Sequence, residues 1–291
     1  MKTIMRNRPG FTLVEVMIAL TLTAVLGAAF MGAFVSQSRF FDHQEKVGAA
    51  RAVSRGALNM MMSELRMVEQ TQGVVSATSQ QIELRVPYVF GMVCGSPASM
   101  LTITTLPADT SAVAGVDFSG YAYRLPSGGY QYQEGTVIAT NGLSTVCTSA
   151  GLVPDDGGVI PDPAGGSGPG SGSVIQIPLG PAIAPGTPVF LYHKVTYSFA
   201  ASASVPGGIG LFRYVEGQTN PNPEELVAPF DTTAKFRFFE SDAAAAQVAV
   251  PASLSDITGI EVVLDAVSER PNADGTHQSV PLTTAVHFKN R

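Results

Sequence analysis

The pattern of hydrophobic and polar positions divides the chain into three parts. The first part runs from Phe11 to Val35, where Glu15 is the only ionisable side chain. About 25 helical residues at 1.5 Å each cover about 37 Å, which exceeds the roughly 30 Å of a hydrocarbon core. Residues 11–35 are therefore predicted to form a transmembrane helix. A carboxylate inside such a helix is costly, so Glu15 needs an explanation.

In the second part, apolar and small residues recur at three- and four-residue intervals, which is the period of an amphipathic helix. The positions on this stripe are Val47, Ala50, Ser54, Ala57, Met61, Leu65 and Val68. The charged positions that fall largely off the stripe are Arg51, Arg55, Glu64, Arg66 and Glu69. The helix is therefore predicted to continue through residues 36–72, where Gly73 supplies a stop signal.

Beyond Gly73 the hydrophobic period changes to two, which is the period of β-strands. The predicted strands include 82–86, 191–199, 210–214, 235–239, 259–267 and 285–288. Residues 73–291 are thus predicted to form an antiparallel β head, and the whole chain an α+β fold with the long helix packed on the sheet. Within the head, residues 91–188 are rich in Gly, Pro and Ser and are predicted to be an irregular insertion.

Composition and charge narrow the functional classes. The chain has 291 residues, of which 45% are hydrophobic and 14% charged, so it is too apolar for a disordered chain. Its formal net charge is −6, and no Lys/Arg cluster follows the first ten residues. Proteins that bind nucleic acids normally present a basic patch, so the composition argues against that function.

The sequence contains no motif typical of an enzyme. It has no G-x-S-x-G, no H-E-x-x-H and no phosphate-binding loop, so no catalytic site, cofactor or metal site is predicted. Residues 155–157 and 272–275 carry carboxylates and amides that calcium could use. Asp-Gly and Asn-x-x-Gly segments are far commoner as simple turns, which is the preferred interpretation.

The positive charges ahead of the apolar run set the orientation of the chain. Lys2, Arg6 and Arg8 precede the span, so the positive-inside rule keeps the leader in the cytoplasm and exports the head. A cleaved secretory signal, with Gly27, Ala28 and Ala29 as its cleavage site, is one interpretation. A plain signal anchor is the second. Neither explains Glu15 or the Pro-Gly pair before Phe11.

A third interpretation explains both. The segment Gly10-Phe11-Thr12-Leu13-Val14-Glu15, after a basic leader of ten residues, resembles the processing site of type IV prepilins. The resemblance implies cleavage after Gly10 by prepilin peptidase, removal of residues 1–10, and N-methylation of Phe11. It also implies that Glu15 pairs with the free amine of Phe11 on a neighbouring subunit. The alternative is that Glu15 merely extends to the lipid headgroups.

The same resemblance implies partners and a location. The partners would be prepilin peptidase, other major and minor pilin subunits, the inner-membrane pilus assembly platform, and membrane lipid before assembly. The protein would be a single-pass protein of a bacterial inner membrane with its C-terminal head in the periplasm. It would later lie in a pilus at the cell surface.

The order of strands in the C-terminal third resembles the head of PilW-like minor pilins and of the related J-type pseudopilins of type II secretion. The positions that carry this pattern are Tyr197, Leu211, Arg213, Phe236, Phe238, Ile260, Val262, Leu264, Thr284 and Val286. The resemblance implies a non-catalytic minor pilin that supports pilus assembly, adhesion or motility. A minor pseudopilin and a membrane-anchored adhesin are the alternatives.

Two cysteines, Cys94 and Cys147, are the only ones in the chain. If the head is exported into an oxidising compartment, a disulfide between them is the natural expectation. Closing a loop of about fifty residues would stabilise the fold by about 4 kcal/mol in the chain-entropy model. The alternative is two buried and unpaired thiols.

Overall fold

The computed structural model describes residues 12–96, 100–105, 109, 118–135, 145–152, 174–178, 182–218, 220–240, 245–269, 271 and 276–288. Its helices are α1 (Leu13–Leu65) and α2 (Thr145–Ser149), with a short 3-10 turn at Leu254–Asp256. The strands are β1 (Val74–Ala77), β2 (Gln81–Gly95), β3 (Met100–Thr105), β4 (Gly120–Arg124), β5 (Tyr130–Glu134), β6 (Val174–Pro178), β7 (Pro188–Ala201), β8 (Ile209–Val215), β9 (Glu224–Phe230), β10 (Lys235–Glu240), β11 (Ile257–Val267) and β12 (Ser279–His287). The predicted α+β architecture is confirmed.

Helix α1 is the longest element. Its 53 residues contain no proline and correspond to a length of about 80 Å. Every residue of α1 up to Glu45 is exposed, and contact with the head begins at Lys46. Among the described residues, α1 is the one helix that is long and apolar enough to cross a membrane.

All strand pairs are antiparallel and join into one sheet. The main order is β10-β11-β9-β8-β7-β2-β3-β6, with β12 paired to β11, β1 paired to β2, and β4 bridging β7 and β5. Strands β2 and β7 form the long central pair, from Gln81 opposite Ser198 to Met92 opposite Pro188. Strands β2, β7, β8, β10 and β11 cover the segments that the two-residue period predicts, and β12 covers all but the last residue of segment 285–288.

The main core lies between the second half of α1 and the sheet. Ala50, Ala57, Met61 and Leu65 point to the sheet and are almost completely buried. They join the apolar residues of one sheet face, among them Leu84, Tyr197, Phe236, Ile260 and Leu264. The amphipathic stripe therefore supplies one side of the core, and the alternating strand positions supply the other.

The helix ends earlier than the sequence indicates. It stops at Leu65, whereas the predicted end was residue 72. In the turn that follows, the Glu69 carboxylate accepts hydrogen bonds from the Gln72 N–H at 2.9 Å and the Thr71 hydroxyl at 2.6 Å. These bonds favour a turn over further helix. Gly73 closes the turn, since a Cβ there would lie 2.1 Å from the Glu69 carbonyl oxygen.

The segment 91–188 is not an irregular insertion in its described parts. It contains the end of β2, the whole of β3, β4, β5 and β6, and the start of β7. These strands enclose a second apolar cluster that includes Val93, Leu101, Ile103, Tyr121 and Ile175. The sequence pattern did not predict these short strands because Gly, Pro and Ser dominate the composition around them. The GGSGPGSGS stretch at 165–173 lies outside the described residues.

Candidate functional site

The N-terminal end of α1 holds Glu15. The backbone N–H and the hydroxyl of Thr12 each donate to Glu15 Oε2 at 3.1 Å, and the Glu15 N–H donates to the Thr12 hydroxyl oxygen at 3.3 Å. This is a capping box, in which two otherwise unpaired donors of the first helical turn are satisfied. A carboxylate at this end also interacts favourably with the helix dipole. Gly10 and Phe11 lie outside the described residues.

The surface that follows Glu15 is apolar on every side of the helix. Fifteen large hydrophobic side chains between Leu13 and Phe41 are 42% to 76% exposed. They are Leu13, Val14, Val16, Met17, Ile18, Leu20, Leu22, Val25, Leu26, Phe30, Met31, Phe34, Val35, Phe40 and Phe41. None of the described residues of the head buries the most apolar stretch of this helix. Such a surface is stable only in lipid or against other apolar surfaces.

The opposite end of α1, the helix that forms the stem of the molecule, makes a buried ion pair with the head. We call the cluster around this pair the stem–head clasp; it consists of Glu64, Tyr88, Tyr197 and Arg213. Arg213 Nη2 on β8 lies 2.6 Å from Glu64 Oε1, and both side chains are only about one-tenth exposed. The Tyr197 hydroxyl on β7 donates to Glu64 Oε2 at 2.7 Å. The Tyr88 hydroxyl on β2 accepts from Arg213 Nη2 at 3.0 Å. Three strands therefore hold one carboxylate of the helix.

The clasp raises the pKa of two of its members, Arg213 and Tyr197. Burial by itself lowers the pKa of Arg213, but the hydrogen bond and the negative charge of Glu64 outweigh it and raise the pKa overall. Burial, followed by the charge of Glu64, raises the pKa of the Tyr197 hydroxyl. Arg213 is thus charged and Tyr197 neutral at every physiological pH. Arg213 and Tyr197 both donate to Glu64, which fixes the rotation of α1 against the sheet.

His193 lies next to the clasp in an apolar setting. Its ring meets Tyr88 edge-on at 4.8 Å between centroids and stacks on Phe118 at 4.7 Å. Nδ1 of His193 is buried and has no hydrogen-bond partner among the described residues. Burial, and then the positive charge of Arg213, lowers the pKa of His193. The imidazole is therefore neutral in the folded protein at neutral pH.

A second polar network lies on the other face of the central strands. Glu134 at the end of β5 bonds to Arg85 Nη2 at 2.7 Å and to Lys194 Nζ at 3.1 Å. The hydrogen bonds from Arg85 and then Lys194 lower the pKa of Glu134. Arg85 also lies 5.1 Å from the centre of the Tyr132 ring, a cation–π distance. This network joins β5 to β2 and β7.

Cys94 and Cys147 form a disulfide in the structure. Cys94 lies near the end of β2, and Cys147 lies in the short helix α2, and both are buried. Val146 and Leu152 pack against them. The bridge attaches α2 to the part of the sheet where β2 pairs with β3.

The structure buries two residues that the sequence pattern placed away from the core. Glu64 and Glu69 were predicted to lie off the buried stripe, yet they are only 7% and 2% exposed. The signal in the sequence was available for Glu64, because it follows Ala57 by seven residues and so lies on the same helix face. Its partners Tyr197 and Arg213 are 133 and 149 positions away, and no local pattern reveals that contact.

Within the described residues, no group of three or more His, Cys, Asp or Glu side chains is arranged to hold a metal ion. The candidate calcium segments 155–157 and 272–275 lie outside those residues. His277 lies just before β12, and His287 lies at its end.

Comparison with known proteins bears on the N-terminal end. The family model described as the prokaryotic N-terminal methylation motif matches residues 5–31. No curated protein and no solved structure shows a significant match to the chain. Proteins with this motif are structural subunits rather than enzymes. The match therefore supports a type IV prepilin-like protein, a pilin-like or pseudopilin subunit that is anchored by one span, processed by prepilin peptidase and assembled with other pilins.

Proposed function

We propose that this protein is a non-catalytic minor pilin that joins or primes a type IV pilus through its stem. Prepilin peptidase would cut after Gly10, and the new N-terminal Phe11 would be methylated. The observation that carries the proposal is the tip of α1. An exposed apolar helix that can cross a membrane carries a carboxylate in its first turn, inside a segment that matches the methylation motif.

Before assembly, the capping box answers the question of why Glu15 is tolerated. A carboxylate costs about 2.5–3.5 kcal/mol at the centre of a membrane helix and less near its end. Glu15 lies in the first turn, where Thr12 donates twice to Oε2. None of the described residues donates to Oε1. That oxygen remains available for the Phe11 amine of a neighbouring subunit.

During assembly, the same carboxylate would fix how neighbouring stems align. A charge in an apolar bundle is costly unless it meets a partner, so only alignments that place an amine beside Glu15 are stable. The fifteen exposed apolar side chains between Leu13 and Phe41 would then pack on other stems rather than on lipid. The head would stay outside the bundle, held by the stem–head clasp.

Replacing Glu15 by Ala tests this function in cells that make the filament. We expect membrane insertion to be intact, because the span becomes more apolar, while recovery of the protein in sheared filaments falls at least about tenfold, as loss of a buried charge pair implies. Glu224→Ala, which removes an exposed carboxylate of the head, is the matched control and should behave as the parent.

Deletion of the whole chain separates the pilus from secretion. Loss of filaments with normal protein secretion supports the minor pilin, and normal filaments with lost secretion would assign a minor pseudopilin instead. Normal filaments with lost attachment to surfaces would indicate an adhesin. Undiminished filament incorporation of the Glu15→Ala variant would remove the role proposed for that residue.

A further inference from the structure

Arg39 is the first charged residue after the apolar run of α1. It lies four residues beyond Val35, which corresponds to about 6 Å of helix. Its side chain is exposed and makes no ion pair or side-chain hydrogen bond with any described residue. The next carboxylate along the helix, Asp42, pairs with Lys46 instead, at 2.8 Å. The Arg39 guanidinium can therefore bind a negatively charged group of another molecule.

Two phenylalanines follow Arg39 directly. Phe40 and Phe41 are 59% and 60% exposed, and their rings meet edge-on with centroids 6.2 Å apart. At 100° per residue, residues 39–41 point in three directions that together cover more than half of the helix circumference. Side chains of a helix lean towards its N-terminus, so both rings lean back towards Val35 and extend the apolar surface of the span.

The distance between the charges at the two ends of this surface matches the thickness of a membrane. No ionisable side chain occurs between Glu15 and Arg39, which are 24 residues or about 36 Å apart along the helix. A hydrocarbon core is about 30 Å thick, and about 40–45 Å with both headgroup layers. Both charges therefore reach the headgroup layers at the same time, each about 3 Å outside the core. A tilt of about 20° shortens the projected distance only to about 34 Å.

We propose that Arg39, Phe40 and Phe41 form a binding site for an anionic phospholipid, in the leaflet on the head side of the membrane. The Arg39 guanidinium would bind the phosphate of the headgroup, and the two rings would contact the adjoining part of the acyl chains. The inference rests on the membrane-bound stage of the proposed function. It deepens that function, because the site determines how far the stem is inserted before assembly.

The three side chains fit the boundary between hydrocarbon and headgroup. A guanidinium presents N–H donors in a planar fork that matches two phosphate oxygens. Phosphatidylglycerol has a net negative charge, whereas the choline of phosphatidylcholine neutralises its own phosphate, so Arg39 favours the former. The phenylalanine rings supply apolar contact and carry no polar group that needs a partner. An acidic side chain of another protein is the less favoured occupant, because lipid surrounds the helix only one turn away, at Val35.

The site also determines the depth of Glu15. Movement of the stem along its axis by one turn, about 5.4 Å, would draw either Glu15 or Arg39 into the hydrocarbon core. When Arg39 binds headgroups on one side, Glu15 stays among the headgroups on the other side, where its capping box stabilises it. Transfer of the stem from the membrane to a filament then requires release of the lipid phosphate from Arg39.

Two other arginines of α1 lie too far from the membrane for this role. Arg51 and Arg55 follow Arg39 by 12 and 16 residues, which corresponds to about 18 and 24 Å of helix. Charge interactions with a membrane surface decay over about 8 Å at physiological ionic strength. Arg51 is exposed and makes no ion pair with any described residue, as is true of Arg39, so it supplies a matched control.

Fluorescence of a single tryptophan tests the site, because the native chain contains no tryptophan. The full-length Phe40→Trp protein is reconstituted in vesicles of phosphatidylcholine and phosphatidylglycerol. One lipid at a time carries bromine, which quenches tryptophan on contact, either near the headgroup or near the end of the acyl chain. The position of the bromine reports depth, and the ratio of quenching by the two lipids gives their relative affinity for the site. Arg39→Gln, Arg39→Lys and Arg51→Gln are then measured on this background.

We expect the tryptophan to be quenched more by bromine near the headgroup than by bromine near the chain end, and phosphatidylglycerol to bind more tightly than phosphatidylcholine. Arg39→Gln should lower this preference about fivefold, the factor that corresponds to about 1 kcal/mol per basic residue near an anionic surface. It should also move the tryptophan deeper. Arg39→Lys should retain most of the preference, and Arg51→Gln should leave it unchanged.

Three results would overturn the inference: no quenching of Phe40→Trp, equal affinity for the two lipids, or the same loss in Arg51→Gln as in Arg39→Gln. A lipid preference that persists in Arg39→Gln while association with other pilin subunits is lost would assign Arg39 to a protein partner, and would overturn it as well.

The proposed function is read separately on the same protein. The mass of the N-terminal peptide reports processing after Gly10, and sheared filaments report incorporation. Processed and incorporated protein without a preference for phosphatidylglycerol refutes the lipid site alone. Unprocessed protein refutes the proposed function.

Discussion

Two glutamates on one helix are accommodated in opposite ways. Glu15 is exposed, and its hydrogen bonds come from Thr12 in its own first turn. Glu64 is buried, and its hydrogen bonds come from Tyr197 and Arg213 on strands of the head. In the first half of α1, hydrogen bonds within the chain satisfy only the polar groups of the first turn. The apolar surface of this half remains available to other molecules. The second half has its partners within the chain.

The difference shows how one helix performs two tasks. In the second half, a stripe of Ala50, Ala57, Met61 and Leu65 supplies the core, and the clasp sets the angle of the helix. In the first half there is no stripe, because apolar residues surround the helix. A helix that is apolar all round must be buried in lipid or protein, whereas an amphipathic one needs a single face covered.

The largest effect is expected from breaking the clasp. Glu64→Ala leaves Arg213 buried without its counter-charge, and removal of one partner of a buried pair typically costs about 3–5 kcal/mol. We expect the free energy of unfolding of the head, measured by urea titration of the full chain in detergent, to fall by that amount. Membrane insertion should be unaffected.

The double variant Glu64→Met/Arg213→Met tests the origin of this loss. If the cost arises from an uncompensated charge, replacing both partners by apolar side chains should recover most of the stability lost in Glu64→Ala. A double variant as unstable as the single one would show that the fold needs the ion pair itself.

A smaller effect is expected from pH through His193. Its pKa is lowered in the folded head, so the unfolded chain binds a proton that the folded chain does not. The free energy of unfolding should therefore be highest above the unfolded pKa of about 6.5 and should fall as pH decreases below it. The slope is at most about 1.4 kcal/mol per pH unit, until the folded pKa is reached.

His193→Phe should flatten this part of the profile. We would compare urea midpoints at pH 7.5 and pH 5.5 for the parent and the variant. Glu134 also has a lowered pKa, but its contribution is lost only as pH falls below about 4.5, outside that interval. Equal pH dependence of the two proteins would show that His193 does not titrate in this range.

The smallest effect on the head is expected from Glu15→Ala. This residue has no contact with the head, and substitutions at exposed positions typically change stability by less than about 0.5 kcal/mol. The urea midpoint should match that of the parent, in contrast to Glu64→Ala. A substantial shift would mean that the first half of α1 supports the head, contrary to its exposure.

Hydrophobic patterns in the sequence predicted the helix and strands that neighbouring residues along the chain determine. The stripe from Val47 to Val68 predicted the amphipathic helix, and alternation in β7, β8, β10 and β11 predicted the strands. The predicted helix end was wrong: α1 ends at Leu65, and residues 69–72 form a turn that the Glu69 side chain holds by hydrogen bonds. Strands β3 to β6 were missed because each is only five or six residues long and lies within biased sequence.

The candidate site divides in the same way. The proposed roles of Gly10, Phe11 and Glu15 rest on a short linear segment, so the resemblance to a prepilin processing site could be recognised from the sequence. The clasp depends on strands that meet α1 only after folding, so the importance of Arg213 and Tyr197 to Glu64 could not be derived from spacing. The disulfide between Cys94 and Cys147 was an expectation that rested on export rather than on geometry.

Mass spectrometry of the mature N-terminus tests the central claim most directly. The protein would be purified from membranes of cells that contain the processing machinery, and its N-terminal peptide would be sequenced. We predict that the chain begins at Phe11 and that Phe11 carries an N-methyl group. A chain that begins near residue 30, or that retains Lys2, Arg6 and Arg8, would contradict the account.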